Sequence, residues 1–155
     1  MMIQDFEYNR THLSDRVVTI RPCSERDVTT LTQWFSHEGT GDRWKIRTVE
    51  DFKIWPFIVV FENRAAAFLQ VWRTSAGAGG LEIFVAPDSR RRGVALRALR
   101  LMARYVRSEL RWPDVAIEPH GDDEAAIACF KKAGFVDNGK RRDDGDHTHV
   151  ILEWP

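Results

Sequence analysis

Short apolar runs rich in β-branched and aromatic residues recur along the chain, and each predicts a β-strand. The runs lie at residues 17–21, 56–61, 65–73, 81–86 and 115–118, and two further predicted strands lie at 135–141 and 147–154. Asp143-Asp144-Gly145 separates the last two strands and predicts a hairpin. Residues 75–80, SAGAGG, are expected to be a flexible connector. The strands before residue 87 are expected to follow one another in antiparallel order.

Apolar residues spaced three and four apart predict the helices. The longest begins within residues 90–95, and its buried face is formed by Leu96, Leu99, Met102, Ala103, Val106 and Leu110. Residues 24–27, SERD, have the form of a capping box and precede helically spaced apolar residues over 28–35. A short helical stretch capped by Thr48 is expected to end at Phe52, and a last helix is expected to begin near Asp122.

An arginine-rich turn, RRRGVA at residues 90–95, joins the strand at 81–86 to the long helix. The first backbone N–H groups of a helix have no intrahelical partner and lie at the positive end of the macrodipole, so they can bind a phosphate. Gly93 allows an oxygen to approach the backbone closely, and the adjacent arginines supply countercharge. The turn is therefore a candidate phosphate site. The alternative is a surface turn with solvated arginines.

The spacing Arg90-x-x-Gly93-x-Ala95 directly after a strand resembles the pyrophosphate-binding turn of the GCN5-related N-acetyltransferase (GNAT) family. A second segment, VAIEPHGDDEAAIACFKKAGF at residues 115–135, is similar to the last strand-and-helix unit of that family. The matching positions there are Asp123, Ala126, Ile127, Phe130, Gly134 and Phe135. The opening TIRPCSERDV, with Trp34 beyond it, looks most like the aminoglycoside 6′-N-acetyltransferases.

Two positions depart from the family pattern. Asp123 stands where the family usually has asparagine, and it is expected either to contact the cofactor or to cap the last helix. Phe130 stands where a tyrosine commonly protonates the departing thiolate. The chain therefore lacks the usual acid at that place.

The resemblance implies a GNAT fold, which is a mixed, twisted α/β sheet of about seven strands flanked by about four helices. A V-shaped opening between the strand of Glu82 and the strand of Val115 is expected to hold acetyl-CoA. Backbone N–H groups of Phe84 and Val85 are expected to address the thioester carbonyl and the pantetheine. The pyrophosphate is expected to lie on Arg90, Arg91, Arg92, Gly93, Val94 and Ala95.

Acetyl transfer to an amine needs a neutral amine, a stabilised oxyanion and an acid for the leaving thiolate. Glu82 is the candidate base, because the aminoglycoside enzymes carry an acid at a similar place in a similar strand. The alternative is that Glu82 faces solvent on an alternating strand. The acceptor is expected near the loop after the first helix, with Trp34, Glu38, Asp42 and Trp44 as candidate contacts. Large aromatic residues also fill cores, which is the alternative for both tryptophans.

The length of the chain limits the number of domains, and its charge limits the kinds of partner. With 155 residues the chain has the size of one domain, so a single domain over 1–155 is expected, with 1–16 as an irregular N-terminal arm. Lys plus Arg and Asp plus Glu number 23 each, so no global field attracts nucleic acid or a membrane. A helical stripe of Arg97, Arg100, Arg104 and Arg107 keeps nucleic-acid binding as an alternative, which the zero net charge argues against.

The cysteines and the N-terminus indicate a compartment. Cys23 and Cys129 lie far apart without a metal-type spacing, so they are expected to be free thiols and no metal site is predicted. The N-terminus carries charges throughout and shows no apolar targeting segment. A cytoplasmic location is therefore expected.

The predicted function is acetyl-CoA-dependent N-acetylation of a primary amine by direct attack in a ternary complex. Acidic residues near the expected acceptor loops favour a small (poly)cationic amine, such as an aminoglycoside or a polyamine. Two alternatives stay open: a non-catalytic acyl-CoA-binding module, which Phe130 favours, and an acetyltransferase for N-terminal amines of peptides or proteins. A homodimer is also left open.

Overall fold

The computed structural model of the protein describes residues 2–36 and 41–155. The strands are β1 (Leu13–Ser14), β2 (Val18–Pro22), β3 (Arg47–Val49), β4 (Phe52–Phe61), β5 (Arg64–Thr74), β6 (Ala78–Val85), β7 (Asp114–Ile117), β8 (Val136–Asp143) and β9 (Thr148–Glu153). The α-helices are α1 (Val28–Trp34), α2 (Val94–Ser108) and α3 (Glu124–Ala133).

All strands of the described chain belong to one mixed sheet. Its order is β1-β2-β4-β5-β6-β7-β9-β8, and β3 pairs with one end of β4. Every pair is antiparallel except β6 with β7. The predicted fold class is confirmed, and the strands beyond the predicted number are the very short β1 and β3. The described residues form three α-helices, fewer than expected, because no helix follows Thr48.

The two faces of the sheet carry separate cores, because successive side chains of a strand point to opposite faces. Phe57 and Leu69 point to the face that α2 covers, where they join a large buried cluster with Leu99 and Met102. Ile58 and Phe68 point to the other face and form a smaller cluster with Leu31 of α1. A cavity between β6 and β7 joins these two faces.

The segment after Thr48 is a strand hairpin, so the predicted short helix is wrong. Arg47, Thr48 and Val49 pair antiparallel with Ile54, Lys53 and Phe52. Glu50 takes a left-handed backbone with φ 56°, which reverses the chain between the two strands. Pairing with the end of a long strand therefore overrides the local capping pattern.

The glycine-rich segment at residues 75–80 is only partly a connector, because Ala78, Gly79 and Gly80 begin β6. A Cβ on Gly79 would lie 2.6 Å from Cε3 of Trp112, and a Cβ on Gly80 would lie 2.2 Å from Cζ2 of Trp72. Both glycines therefore leave room for an indole ring against the strand. The expectation of a flexible connector fails here because glycine serves close packing rather than mobility.

The N-terminal arm joins the core although it is largely irregular. Phe6 is buried and packs on Trp55 and Phe57, with ring centroids 5.2 and 5.1 Å away. The indole Nε1–H of Trp112 donates a hydrogen bond to the carbonyl of Gln4 at 2.7 Å. These contacts anchor the arm beside α2.

Most of the arginine stripe on α2 is used for packing between elements. Arg97 lies 3.6 Å from a carboxylate oxygen of Asp15. Arg100 donates to the carbonyls of Ala133 and Lys132, and Arg107 donates to the carbonyl of Trp112. These bonds join α2 to α3 and to the segment before β7. Within the described chain, none of the helices has both the length and the apolar character that a membrane span requires.

Candidate functional site

The site lies where β6 and β7 separate. The two strands pair in parallel from Ala78 with Asp114 to Leu81 with Ile117, and the pairing stops there. β6 runs on for four residues, which stay paired with β5 on the other side. The predicted opening between the strands of Glu82 and Val115 is therefore present. Backbone groups of β6 beyond Leu81 face it without strand partners in the described structure.

A cavity of about 640 Å³ occupies this opening. Glu82, Trp72 and Ile54 line it on the face of the sheet that carries α1. Ile83, Ile117 and Phe130 line it on the face that carries α2 and α3. The cavity therefore connects the two faces of the sheet.

Glu82 is the first residue of β6 beyond the pairing with β7, and its exposed side chain lines the cavity. Among the described residues, its carboxylate has no hydrogen bond or ion pair. Gln70 of β5 lies directly opposite Glu82 of β6, and its side-chain oxygen accepts a hydrogen bond from Arg47. The pKa of Arg47 is lowered overall, chiefly by burial and then by the charge of Arg43. The charge of Glu82 acts in the opposite direction. Glu82 is thus an unpaired carboxylate in the cavity with a cation nearby.

The arginine turn opens α2 as predicted. Gly93 precedes the helix with φ 79° and ψ 10°, a left-handed conformation that favours glycine. Apart from Gly93 itself and its two chain neighbours, no atom of the described residues lies within 4 Å of the position that a Cβ on Gly93 would take, so the backbone is accessible there. Val94 is buried and fixes the first turn of the helix on the core, and Ala95 packs against that core.

The side chains of the three arginines diverge from one another. Arg90 donates from Nε to the carbonyl of Val85 at 3.0 Å, and its guanidinium lies 5.6 Å from the ring centre of Phe84. Arg92 pairs with Glu62 and lies 4.8 Å from the ring centre of Phe61. Arg91 is exposed and has a positive φ of 62°. The structure thus places Arg90 beside the free end of β6 and Arg92 against the β4–β5 hairpin.

The two residues that depart from the family pattern both line the cavity. Asp123 is the N-cap of α3 and accepts a hydrogen bond from the backbone N–H of Ala126 at 3.0 Å. The capping alternative for Asp123 is therefore what the geometry shows. Phe130 is half-buried and packs against the core on the α2 face. It presents an apolar ring to the cavity.

The predicted acceptor contacts that the structure describes are Trp34, Asp42 and Trp44. Trp34 packs on Phe84 with ring centroids 5.9 Å apart, and Trp44 joins the same small cluster. Asp42 is exposed and lies 3.5 Å from Nζ of Lys45. None of the three lines the cavity, and Glu38 lies outside the described residues.

Other side chains line the cavity on the face that carries α1, and the sequence interpretation did not name them. Phe52, Ile54 and Trp72 form one wall of the cavity. The register of β4 with β5 places Ile54 opposite Trp72, and this pairing between separate strands is not visible in either apolar run alone. The alternating pattern of β5 was the available signal, since it puts Trp72 on the same face as Gln70.

Polar residues after β7 and on β9 form the remaining rim. Nδ1 of His149 lies 3.2 Å from the carbonyl oxygen of Glu118, and its Nε2 lies 2.9 Å from a carboxylate oxygen of Asp144. A hydrogen bond from the backbone N–H of His147, and then the one from His149, lower the pKa of Asp144. Nε of Arg142 donates to the carboxylate of Glu118 at 2.6 Å. No cluster within residues 2–36 and 41–155 has the arrangement of a metal site.

Comparison with known proteins identifies the family of the chain. The model of the acetyltransferase (GNAT) domain family matches residues 15–136. No curated protein is significantly similar to the chain in sequence.

Among solved structures, one of AAC(6′)-Ib with acetyl-CoA shares 16% identity and has a TM-score of 0.76, covering 89% of this chain and 93% of its own. A complex of the same enzyme with coenzyme A and kanamycin has a TM-score of 0.74 at 17% identity, covering 88% and 93%. A spermidine N-acetyltransferase chimera derived in part from Vibrio cholerae has a TM-score of 0.69 at 13% identity, covering 88% and 94%. These likenesses show a shared fold.

Proposed function

The chain belongs to the GNAT acetyltransferase family, and from that premise we propose that it transfers the acetyl group of acetyl-CoA to a primary amine by direct attack in a ternary complex. The observation that carries the proposal is the cavity between β6 and β7, which is lined by the unpaired carboxylate of Glu82 and by backbone groups of β6 without strand partners in the described structure. Similar structures that contain acetyl-CoA or coenzyme A support this cofactor.

The cofactor is proposed to lie along the free end of β6 and the start of α2. Backbone N–H groups at the free end of β6 bind the thioester carbonyl and the pantetheine. The N–H of Val85 is on the cleft side, whereas the N–H of Phe84 is directed at β5, because Ala86 donates to the carbonyl of Ala66 and the N–H direction alternates along a strand. Of the two predicted groups, only that of Val85 is therefore proposed to bind the cofactor.

Arg90, Arg91, Arg92, Gly93, Val94 and Ala95 hold the pyrophosphate. The open space beside Gly93 and the 15-residue helix behind it fit an anion. Asp123 and Phe130 contact the cofactor from α3, and Asp123 does so while it caps the helix.

In the proposed reaction the amine nitrogen attacks the thioester carbon, and its proton passes to Glu82 directly or through water. The carbonyl oxygen becomes an oxyanion that free N–H groups of β6 stabilise. Collapse of this intermediate breaks the C–S bond and releases the thiolate. A thiol pKa of about 8.5 makes the thiolate a fair leaving group without an acid, so Phe130 is compatible with turnover.

The acceptor is a primary amine. A small (poly)cationic amine draws support from the aminoglycoside and spermidine enzymes of similar fold. The acidic residues that suggested it give less support, because Asp42 is paired with Lys45 away from the cavity. Trp34 and Trp44, and Glu38 of the loop after α1, stay candidates for an outer contact with the acceptor.

A non-catalytic acyl-CoA-binding module is the second candidate, because Phe130 cannot donate a proton. A related enzyme hypothesis takes the N-terminal amine of a peptide or protein as acceptor. Release of coenzyme A thiol in the presence of amines separates an enzyme from a binding module.

Substitution of Glu82 tests the proposed base. Glu82→Gln keeps the size and removes the base, so turnover at neutral pH is expected to fall by about 10² to 10⁴. The loss shrinks as pH rises, because more of the amine is then already neutral. Glu118→Gln is the control, since that carboxylate also lines the cavity but is held by Arg142. A deficit in Glu82→Gln that is constant with pH would assign Glu82 to positioning instead.

A further inference from the structure

An apolar wall on the acceptor side of the cavity consists of Phe52, Ile54 and Trp72. The rings of Phe52 and Trp72 meet edge to face, with centroids 4.9 Å apart and planes at 82°. All three residues are half-buried, and none belongs to either buried cluster of the described chain. Their free apolar surface therefore faces the cavity rather than the core.

Packing fixes the position of Trp72 in this wall. Trp72 lies opposite Gly80 in the β5–β6 pair. Its Cζ2 and Cε2 would lie only 2.2 and 2.4 Å from a Cβ on Gly80, so the indole rests on the backbone of that glycine. The ring of Phe52 also packs against the indole of Trp72. The wall is thus preorganised and loses little side-chain entropy when a ligand covers it.

The charges around the cavity are largely satisfied by other protein groups. Glu118 pairs with Arg142, and Asp123 caps α3. Among the described carboxylates that line the cavity, only Glu82 has no partner. Glu82 and Trp72 point to the same face, because Trp72 lies opposite Gly80 and Glu82 follows two residues later. One free carboxylate therefore adjoins one apolar wall.

One free carboxylate beside an apolar wall does not favour a polycationic acceptor. Each additional ammonium group would have to leave water beside Phe52, Ile54 or Trp72, where the described residues offer no second free carboxylate, and this is costly. The half-buried Arg47 adds positive charge near Glu82, whereas the charge of Arg142 is matched by Glu118. A ligand with a single ammonium group avoids both penalties.

We propose that the acceptor is a monoamine whose ammonium group meets Glu82 and whose aromatic or aliphatic body covers Phe52, Ile54 and Trp72. The proposal rests on the proposed function and specifies its substrate class. The shared chemistry is one primary amine next to an apolar group. A free arylalkylamine has it, and so does the N-terminus of a peptide that begins with an aromatic residue.

A thiol-release assay with acetyl-CoA compares phenethylamine, n-propylamine, spermidine, kanamycin and the tripeptide Phe-Gly-Gly. Phenethylamine is expected to react with a kcat/KM about tenfold or more above the values for n-propylamine and for both polycations. A higher value for Phe-Gly-Gly than for phenethylamine assigns the peptide as the source of the same chemistry. A preference for spermidine or kanamycin, or equal values for phenethylamine and n-propylamine, overturns the proposal.

Variants of Trp72 test the wall. Trp72→Ala is expected to raise the KM for phenethylamine about tenfold while it leaves that for n-propylamine nearly unchanged. Trp72→Phe restores most of the affinity. Trp154→Ala is the matched control, because it removes a half-buried indole that packs on Phe135 and does not line the cavity. A Trp72→Ala variant that affects both amines equally contradicts the assigned wall.

Calorimetry separates this proposal from the proposed function. If no amine releases thiol although acetyl-CoA binds, catalysis is refuted. Binding of the same amines to the protein loaded with coenzyme A then decides the acceptor class. Phenethylamine is expected to bind about tenfold more tightly than spermidine, and more weakly to Trp72→Ala than to the native chain. Tighter binding of spermidine, or binding of neither amine, overturns the acceptor class.

Discussion

Gly93 and Gly139 have nearly the same backbone conformation in different parts of the molecule. Their φ angles are 79° and 87°, and in the described part of the chain no atom beyond the immediate chain neighbours lies within 4 Å of the position of an added Cβ. Alanine at either position should therefore cost about 1–2 kcal/mol of unfolding free energy through backbone strain alone. Gly139 lies in β8, away from the turn that opens α2.

Comparison of the two variants isolates the contribution of the turn to binding. Gly93→Ala is expected to weaken acetyl-CoA binding by about tenfold or more, because a methyl group next to the pyrophosphate removes a charge-assisted hydrogen bond. Gly139→Ala is expected to leave the affinity unchanged. Calorimetric titration gives both affinities, and urea unfolding gives both stabilities. Equal affinities would mean that the turn at Gly93 does not hold the pyrophosphate.

Phe130 decides whether the missing hydroxyl limits the reaction. The thiolate leaves without help in the proposed route, so Phe130→Tyr is expected to change kcat by less than about tenfold. Steady-state thiol release with the best acceptor measures the change. The ring keeps its size and its place against the core, so Tm should stay nearly constant. A native chain that is inert with every amine, beside an active Phe130→Tyr, would establish the binding-module alternative.

At the scale of the elements, β6 joins the packing of the sheet to the shape of the site. Gly80→Ala brings a Cβ to 2.2 Å from the indole of Trp72 and 2.9 Å from the carbonyl oxygen of Ala116. Crowding of this kind is expected to cost about 1–3 kcal/mol of unfolding free energy. Urea unfolding of Gly80→Ala, Trp72→Ala and the double variant measures the coupling.

The double variant separates the two contacts. Trp72→Ala removes the indole, so Gly80→Ala should cost less in that background, and the remaining cost reports the contact with the carbonyl of Ala116. Strict additivity would show that the indole does not rest on Gly80. The native stability of β6 and the position of the cavity wall would then be independent.

The elements that were predicted correctly are those set by local pattern. The buried face of α2 and the apolar run of β5 follow from residues close in sequence. The hairpin after Thr48 and the strand that begins at Ala78 depend on partners far along the chain, namely β4 and the indoles of Trp72 and Trp112. A sequence pattern cannot report those partners.

The same distinction applies to the site. Glu82 and Gly93 lie where the motif predicted, because a strand, a turn and a helix that are continuous in sequence position them. The apolar wall of Phe52, Ile54 and Trp72 was not predicted, since it depends on the register between β4 and β5. Trp34 packs on Phe84 and does not line the cavity, so its predicted contact with the acceptor stays a prediction. Among aromatic residues, burial and site contact look alike in a sequence.

At the scale of the whole molecule, a bound cofactor should stabilise the fold, because the proposed site spans separate elements. Val85 lies at the end of β6, Gly93 opens α2, and Phe130 belongs to α3. Unfolding separates these groups and abolishes the site. Any ligand that needs all three therefore binds the folded state alone, and its binding free energy adds to the stability.

Acetyl-CoA at about a hundred times its dissociation constant is expected to add about 2.7 kcal/mol of stability. For a domain of this size that corresponds to a rise in Tm of about 5–10 °C. Dephospho-CoA is expected to protect less if one of the turn arginines meets the 3′-phosphate. Pantetheine, which lacks the pyrophosphate, is expected to protect least, and Gly93→Ala should reduce the shift with acetyl-CoA but not that with pantetheine. No change in Tm with millimolar acetyl-CoA would refute cofactor binding, and with it the proposed reaction.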